Sequence, residues 1–409
     1  MDLTSFFTYS FQSLIDLTSG LAPIWAPIVF GFFFWKIWIY YIQTDYISKM
    51  KWIMLEVRLP REVYKPPQAM EFVLSALDQG SGGSKAEQYW TGRVLPWFSL
   101  EIASIEGELR FFVRTQSKFK DLVESRIYSQ YSEAEIIESP DYTELVDYSR
   151  TGGVGMFGSE FVLSKADPLP IKTYVNYGMD RGFLDEKQRF DPMTPMLEFL
   201  GSVGKGEHVW IQILVKSPQK RYKKEDGKLG DWRDEARDTV KKMTQGEKKE
   251  LKEGERPERP QLSKMQSENI SDIERNMSKV GLDCGIRMIY LAKMDRFNPG
   301  QIASMMSSFK QFNSAELNGF KPKNDTGMDY PWENLDKKFG GFITGKKKTD
   351  IFDAYRRRSF FYPPHKRKPF VLTVEELATI FRFPSAIAET PTLKRLESKK
   401  AEPPSNLPV

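Results

Sequence analysis

The segment Trp97–Thr115, with the sequence WFSLEIASIEGELRFFVRT, decides the fold of this chain. It contains two runs rich in aromatic and branched apolar residues, Trp97–Ile105 and Glu108–Thr115, with Glu106-Gly107 between them. Residues of this kind favour strands, and a short connection that contains glycine favours a turn. The segment therefore predicts two neighbouring strands at the centre of a sheet.

The elements around this pair of strands predict a βαββαβ unit. Lys51–Pro60 has the composition of a strand, and Pro66–Leu77 has apolar residues at helical spacing. After the pair, Ser117–Tyr131 is amphipathic and Ala134–Glu138 closes the unit as a short strand. This order is the split βαβ, or ferredoxin-like, plan, and it places a first unit at residues 51–140.

A second unit with the same order of elements is predicted at residues 151–325. Its elements are a strand at Glu160–Lys165 or at Ile171–Tyr177, a helix from Asp191-Pro192 to Leu200, strands at His208–Lys216 and Gly285–Lys293, and a helix from Asn298 to Phe312. The chain also leaves the last helix of each unit through matching sequences, QYSEAEI at Gln130–Ile136 and QFNSAEL at Gln311–Leu317. We interpret the match as an internal duplication; the alternative is that amphipathic helices end alike by chance.

A charged insertion at residues 217–265 interrupts the second unit between its central strands. Within it, Asp231–Met243 has the pattern of a short charged helix, whereas Gln245–Pro260 (QGEKKELKEGERPERP) is expected to be fully solvated. Ile270–Val280 then resumes helical spacing. The insertion is either a charged arm that binds a partner or a solvated extension.

The run Leu21–Ile42, LAPIWAPIVFGFFFWKIWIYYI, predicts a transmembrane helix. A helix of this length spans a hydrocarbon core of about 30 Å. Its one charge lies near the end where Trp and Tyr residues cluster, as in an interfacial aromatic belt. A cleaved signal peptide is disfavoured because no basic leader precedes the run, and a buried core helix is disfavoured by its length. The marker residues of the predicted anchor are Leu21, Phe30, Trp35, Lys36, Trp38 and Ile42.

The charges on the two sides of this run predict its orientation. Residues 1–20 contain no Lys or Arg, whereas Lys49, Lys51, Arg58 and Arg61 follow the run. Basic flanks stay in the cytoplasm, so residues 1–20 should be extracytoplasmic and the bulk of the chain cytoplasmic, on a single-pass protein of the cell membrane. The single cysteine, Cys284, suits a reducing compartment. The fold class is therefore α+β, with a transmembrane helix before two tandem ferredoxin-like units.

The sequence offers no set of residues for catalysis or for metal binding. The two histidines, His208 and His365, lie far apart in sequence, and one cysteine cannot complete a zinc site. Gly340–Lys347 (GGFITGKK) nearly fits a phosphate-binding loop, but its last residue has no hydroxyl for magnesium and no apolar strand precedes it. We therefore expect no catalytic residue, no metal, no cofactor and no enzymatic activity.

A basic and aromatic region at residues 326–369 is predicted to connect the second unit to the tail. Its cations, on either side of the aromatic residues 360–362, are Arg356, Arg357, Arg358, Lys366, Arg367 and Lys368. Such a pattern fits contacts with the phosphates of a nucleic acid or with anionic lipid headgroups, and the sequence leaves both open.

The last region, residues 370–409, is predicted to contain a short helix and a linker tail. Thr373 and Glu376 form a capping box. The apolar face that follows, Leu377, Ile380 and Phe381, is a candidate docking surface for a partner.

Three segments carry a resemblance to a known family: LPREVYKPPQAMEFVLSAL, WFSLEIASIEGELRFFVRTQSKFKDLVESRIYSQYSEAEI and FVLTVEELATIFRFP. They resemble an uncharacterised membrane-anchored module of candidate-phylum, Patescibacteria-type bacteria. In that family the module commonly precedes a hexameric translocation ATPase similar to type IV secretion coupling proteins and to the HerA and FtsK DNA pumps. There a Pro-x-Asn-Leu-Pro tail leads into the ATPase domain, whereas here Pro404–Pro408 is followed only by Val409.

The resemblance implies a membrane-anchored, non-catalytic adaptor of a secretion or conjugation-like machine. Its expected partner is a hexameric P-loop ATPase encoded as a separate polypeptide; the alternative is that the gene is split or truncated. The alternative from the residues alone is a nucleic-acid-binding module tethered to the membrane. Association between copies of the chain is compatible with both.

Overall fold

The computed structural model of the chain describes residues 12, 16, 18–60, 65–80, 82–149, 152–180, 190–245, 262–327, 336, 338 and 341–384. These residues divide into a small unit, formed by the ranges 1–50 and 82–94, and a large unit formed by 51–81 and 95–409. Most of the predicted N-terminal segment 1–20, the solvated part of the insertion and the tail after residue 384 lie outside the described residues.

The described residues form helices and strands in a mixed order, which places the chain in the α+β class. In chain order these elements are α1 (Ala22–Ser48), β1 (Trp52–Arg58), α2 (Pro67–Ser75), α3 (Lys85–Trp90), β2 (Trp97–Ile105), β3 (Glu108–Gln116), α4 (Lys120–Gln130), β4 (Glu135–Glu138), β5 (Val154–Leu163), α5 (Thr194–Gly201), β6 (Glu207–Lys216), β7 (Tyr222–Lys223), β8 (Leu229–Gly230), α6 (Trp232–Gln245), α7 (Lys264–Met277), β9 (Gly281–Lys293), α8 (Pro299–Ser307), β10 (Phe320–Lys323), α9 (Phe342–Arg356), β11 (Phe370–Thr373) and α10 (Val374–Ile380). Helices α1 and α3 belong to the small unit, and the other elements belong to the large unit.

One antiparallel sheet of nine strands organises the described part of the large unit. Its order is β10-β5-β9-β6-β2-β3-β1-β4, and β11 pairs with the first residues of β9. The sheet has two halves, β4-β1-β3-β2 and β10-β5-β9-β6, which are joined between β2 and β6. The register of this junction runs from Trp97 opposite Lys216 to Ile105 opposite His208. The short strands β7 and β8 form a separate hairpin in the insertion.

The turn between β2 and β3 is as tight as the sequence predicts. Ile105 pairs directly with Glu108, so only two residues make the connection. Glu106 has φ 55° and Gly107 has φ 88°, the two positive values that a type I′ hairpin turn requires. A Cβ atom at Gly107 would lie 2.5 Å from the carbonyl oxygen of Val203, so glycine is needed here for space as well as for conformation.

Both faces of the sheet are covered. On one face, helices including α2, α4, α5, α8 and α10 enclose the main hydrophobic core. On the other face, α9 packs beside β5 over a second apolar cluster. The adjacent residues Phe111 and Phe112 point into the first and the second cluster respectively, and each is only 1% exposed.

Several boundaries differ from the sequence-based expectations. The first strand of the second half is β5, which begins at Val154, and Ile171–Tyr177 has no strand. The insertion contains the hairpin β7–β8 and an ordered helix α6, whose Trp232 is buried against Gly281. The predicted connecting region contains the fifteen-residue helix α9. The predicted terminal helix is shorter, because Phe370–Thr373 extends the sheet as β11 before Thr373 caps α10.

Candidate functional site

Helix α1 carries the predicted membrane anchor. It has 27 residues, a mean hydropathy of 1.5 over its most apolar window, and none of that window is buried. At about 1.5 Å per residue it is about 40 Å long. By length and composition, α1 can therefore cross a membrane.

The marker residues of the anchor differ in exposure. Leu21, Phe30, Trp35 and Lys36 are exposed, and the ammonium of Lys36 lies 4.3 Å from the centre of the Phe32 ring. Trp38 is half-buried and Ile42 is 6% exposed. In the same unit, Trp38 donates to the carbonyl oxygen of Tyr89, and the backbone of Ile42 lies against Gly92. The C-terminal end of the apolar run, at Trp38 and Ile42, therefore contacts other residues of the protein, whereas the marker residues before it are exposed.

Arg358, predicted to contact phosphate or lipid, is instead buried in an ion cluster. Its guanidinium is 1% exposed and donates to Glu101 through Nε at 2.9 Å and through Nη2 at 3.1 Å. It also donates to both carboxylate oxygens of Asp141 and to the carbonyl oxygen of Arg356 at 2.7 Å. A guanidinium with all five N–H groups paired inside the protein cannot reach a lipid or a nucleic acid, so the prediction for Arg358 is wrong.

The cluster around Arg358 links three distant parts of the chain. Tyr142 donates to Glu101 at 2.7 Å, and its hydroxyl lies 2.7 Å from that of Tyr355. Burial alone would raise the pKa of Glu101, but the charge of Arg358 outweighs burial and holds that pKa below its usual value. Arg358 itself has φ 51°, an unfavourable backbone conformation that these bonds stabilise.

A second ion cluster lies farther along the same face of the sheet. Arg287 on β9 donates to Glu160 on β5 at 3.0 Å and to the carbonyl oxygens of Ala354 at 2.9 Å and Ser359 at 3.1 Å. Arg367 donates to the other oxygen of Glu160 at 3.1 Å. Arg367 is therefore half-buried, and its bond to Glu160 attaches the segment after α9 to the sheet. The predicted contact of Arg367 with phosphate or lipid stays a prediction, because 35% of its side chain is exposed.

The remaining four cations of the basic region are on the surface: Arg356, Arg357, Lys366 and Lys368. Arg357 donates from Nε to Asp353 at 2.7 Å, with 62% of its side chain exposed. The aromatic residues between them do not share this exposure, since Phe360 and Phe361 are 2% and 4% exposed. The surface of this segment is thus basic without the open rings that would stack on bases.

A buried lysine lies beneath the aromatic residues of this segment. Lys216, at the end of β6, is 3% exposed, and its ammonium lies 4.9 Å and 5.1 Å from the ring centres of Phe361 and Tyr362. Burial lowers its pKa to about 8, against the opposite effect of Asp283. Burial raises the pKa of Asp283, which pairs at 2.7 Å with Arg221. The rings of the segment therefore cover a cation of the protein itself.

The predicted docking surface of the tail lies in the core. Leu377, Ile380 and Phe381 are each at most 1% exposed, and the Phe381 ring lies 6.2 Å from that of Phe111. Helix α10 packs mainly against α2. The prediction that these three residues bind a partner is wrong, because their apolar face already binds the first half of the sheet.

In the segment that nearly matches a phosphate-binding loop, the carboxylate of Asp336 lies at the N-terminus of α9, where a phosphate would bind. Asp336 accepts from the backbone amides of Ile343 at 2.9 Å and Thr344 at 3.1 Å, in the first turn of α9. It also accepts from the hydroxyl of Thr344 at 2.7 Å. These amides are the groups that would hold an anion at this helix start, and Asp336 already pairs them.

The titratable residues considered for chemistry lie apart from one another. His365 contacts Asp353 at 2.8 Å, whereas His208 lies on β6, where burial lowers its pKa. Cys284 is fully buried, and burial raises its pKa. Within the described ranges, no three His, Cys, Asp or Glu side chains are grouped closely enough to hold a metal ion.

The sequence contains one signal of the ion clusters. Glu101 and Gln212 are polar residues in the middle of otherwise apolar strands, at positions that face each other across the β2–β6 junction. A charge in such a position needs a buried partner. The chain supplies it as Arg358, which lies 257 positions from Glu101.

Comparisons with known proteins do not assign the chain to a family: no family model matches it, and no curated protein matches it.

Proposed function

We propose that this protein is a membrane-anchored, non-catalytic adaptor of a translocation machine, and that it docks a separately encoded P-loop ATPase. In this proposal α1 spans the cell membrane with its N-terminus outside, and the large unit lies in the cytoplasm. The observation that carries the proposal is the open apolar window of α1 in a chain whose larger unit contains buried ion pairs.

The large unit has the properties of a scaffold. Its buried arginines Arg287 and Arg358 form ion pairs with Glu160 and Glu101, and they fasten α9 and the segment after it across the sheet. Such pairs add little net stability compared with apolar packing, but they penalise any arrangement that separates the charges. A surface held in one arrangement is what a docking partner requires.

We also infer that the large unit contains two tandem ferredoxin-like repeats. The order β4-β1-β3-β2 in the first half has the same sequence of positions as β10-β5-β9-β6 in the second. The two halves also bury matching aromatic residues: Tyr131 directly follows α4, and Phe312 ends the short 3-10 turn Lys310–Phe312 that follows α8. An independent origin of both similarities is less economical than a duplication.

The partner is an expectation from the resemblance to modules that precede a hexameric translocation ATPase. The test is affinity purification of the tagged full chain from native membranes, with identification of its partners by mass spectrometry. A protein with a Walker A lysine should be recovered in stoichiometric amount. If the chain is recovered from the membrane without any P-loop ATPase, the adaptor proposal fails.

Nucleic-acid binding is the second candidate, and the exposed cations Arg356, Arg357, Lys366 and Lys368 support it. Replacing these four by Gln should lower DNA affinity and reduce the salt dependence of binding by about four counterions. The matched control replaces four exposed lysines of the insertion by Gln: Lys220, Lys223, Lys241 and Lys242. Equal affinity of both variants and the unmodified chain would exclude this segment as a nucleic-acid site.

A further inference from the structure

The short helix α3 is capped at its N-terminus by side-chain hydrogen bonds. Ser84 and Glu87 form a capping box, in which the Glu87 amide donates to Ser84 Oγ at 3.2 Å and the Ser84 amide donates to Glu87 Oε2 at 2.7 Å. Arg93 donates to the other oxygen of Glu87 at 3.0 Å. The helix begins directly after the residues Gly80–Ser84, which are all Gly or Ser.

Helix α3 packs along the apolar helix α1 within the small unit. The indole Nε1 of Trp38 donates to the carbonyl oxygen of Tyr89 at 3.1 Å. The ring of Tyr89 lies 5.5 Å from that of Trp35, and the ring of Trp90 lies 6.5 Å from that of Trp38. Four aromatic residues, two from each helix, therefore form one cluster.

A glycine brings the two helices into contact at the polar end of the cluster. Gly92 has φ +70°, and a Cβ atom at this position would lie 2.2 Å from the carbonyl oxygen of Ile42. Along α1, Trp35 lies about 10 Å from Ile42, because each residue rises about 1.5 Å. Tyr89 contacts α1 at Trp35, whereas Gly92 contacts it at Ile42. The contact of Tyr89 therefore lies about two helical turns closer to the apolar centre of α1.

The aromatic residues of α3 are largely uncovered. Trp90 is 71% exposed and Tyr89 is 43% exposed, next to Trp35 at 45%. Large rings with a polar tip are stabilised at the boundary between hydrocarbon and headgroups, where one end is apolar and the other hydrated. Lys85, also exposed, supplies a cation at the other end of α3.

We propose that α3 is a second membrane contact, with Tyr89 and Trp90 in the headgroup layer of the same bilayer that α1 spans. This proposal rests on the proposed membrane anchoring, and its ligand is the phospholipid interface. The exposed rings continue the aromatic belt of α1 at Trp35 and Trp38, so the belt is built from two separate segments of the chain. The second segment fixes how deeply α1 is inserted and limits its rotation about its own axis.

The test measures the depth of single residues in the full chain, reconstituted in phospholipid nanodiscs. The native thiol is first removed by Cys284→Ala, and single cysteines are introduced as Trp90→Cys, Phe30→Cys and Phe72→Cys. Each is labelled with an environment-sensitive fluorophore and quenched by nitroxide lipids that carry the spin label at the headgroup or deep in the acyl chain. Phe72 is the matched control, since it is 63% exposed on α2 in the large unit.

We expect the headgroup nitroxide to quench the label at position 90 most strongly. The deep nitroxide should be the stronger quencher at position 30, and neither should remove more than a small fraction of the signal at position 72. If position 30 is quenched while position 90 behaves like position 72, α3 is not a membrane contact, although the anchor stands. If position 30 is not quenched either, the membrane anchoring itself is overturned, and this proposal with it.

Discussion

Arg358 and Glu101 form a two-pronged ion pair in the interior, with Nε and Nη2 of the arginine 2.9 and 3.1 Å from the two carboxylate oxygens. Glu101 lies in the middle of β2, and Arg358 lies just after α9. The pair therefore attaches the end of α9 to the centre of the sheet, at the strand that joins its two halves.

Breaking this pair should destabilise the protein severely. Arg358→Gln leaves Glu101 and Asp141 without their shared cation, and we expect a loss of about 3–5 kcal/mol in the free energy of unfolding. The exposed neighbour provides the control, since Arg357→Gln should cost less than about 1 kcal/mol. Denaturant unfolding of the full chain in detergent measures both, and equal stabilities of the two variants would contradict the proposed role of the pair.

The same cluster predicts a loss of stability in acid. The folded-state pKa values of Glu101 and Asp141 lie below their ordinary values of 4.5 and 3.8, because Arg358 outweighs the effect of burial. As the pH falls, the two carboxylates are therefore protonated in the unfolded state before they are protonated in the folded state. The stabilisation from their pairing with Arg358 is complete above about pH 5, and it is lost as the pH falls through the lower folded-state pKa values. Thermal unfolding between pH 3 and pH 6 should show this loss, and Glu101→Gln should reduce its steepness.

Lys216 predicts a second rise of stability with pH, in alkaline solution. Its folded-state pKa of about 8 lies below its ordinary value of 10.5, so between these values the unfolded state binds more protons. The contribution of Lys216 to the free energy of unfolding should then rise as the pH increases from about 8 to 10.5. Lys216→Met should remove that rise and Lys220→Met, at an exposed position, should keep it. The difference between variant and unmodified chain isolates this lysine from other groups that titrate in the range.

The hairpin turn should not tolerate a side chain at its glycine. Gly107→Ala must adopt φ 88° and place its Cβ near the backbone of Val203, so we expect a loss of more than about 1 kcal/mol. Gly153→Ala is the control, because a Cβ there has open space and φ is not in the left-handed region. A melting temperature unchanged by Gly107→Ala would mean that the turn differs from the one described.

Local patterns predicted the parts of the fold that depend on local physics. The pair β2 and β3, the turn at Glu106-Gly107 and the long apolar helix α1 follow from composition and from the rules for short turns. The cap of α10 was also predictable, since Thr373 and Glu376 form the capping box that the sequence indicated.

Long-range pairing explains the predictions that failed. Arg356–Arg358 is a basic run in sequence, but only the third of its residues turns inward to meet Glu101 and Asp141. Leu377, Ile380 and Phe381 form an apolar stripe, and a stripe does not say whether it covers the protein's own core or a partner's. The partners of these residues lie far away in sequence, so the spacing of nearby residues contains no information about them.

The junction between β2 and β6 has a mechanical consequence. Its register continues without a break from Trp97 opposite Lys216 to Ile105 opposite His208. Pulling the two halves apart would have to break this ladder of hydrogen bonds along its whole length at once. A load that separates the outer strands β4 and β10 is therefore carried in part by every hydrogen bond between β2 and β6.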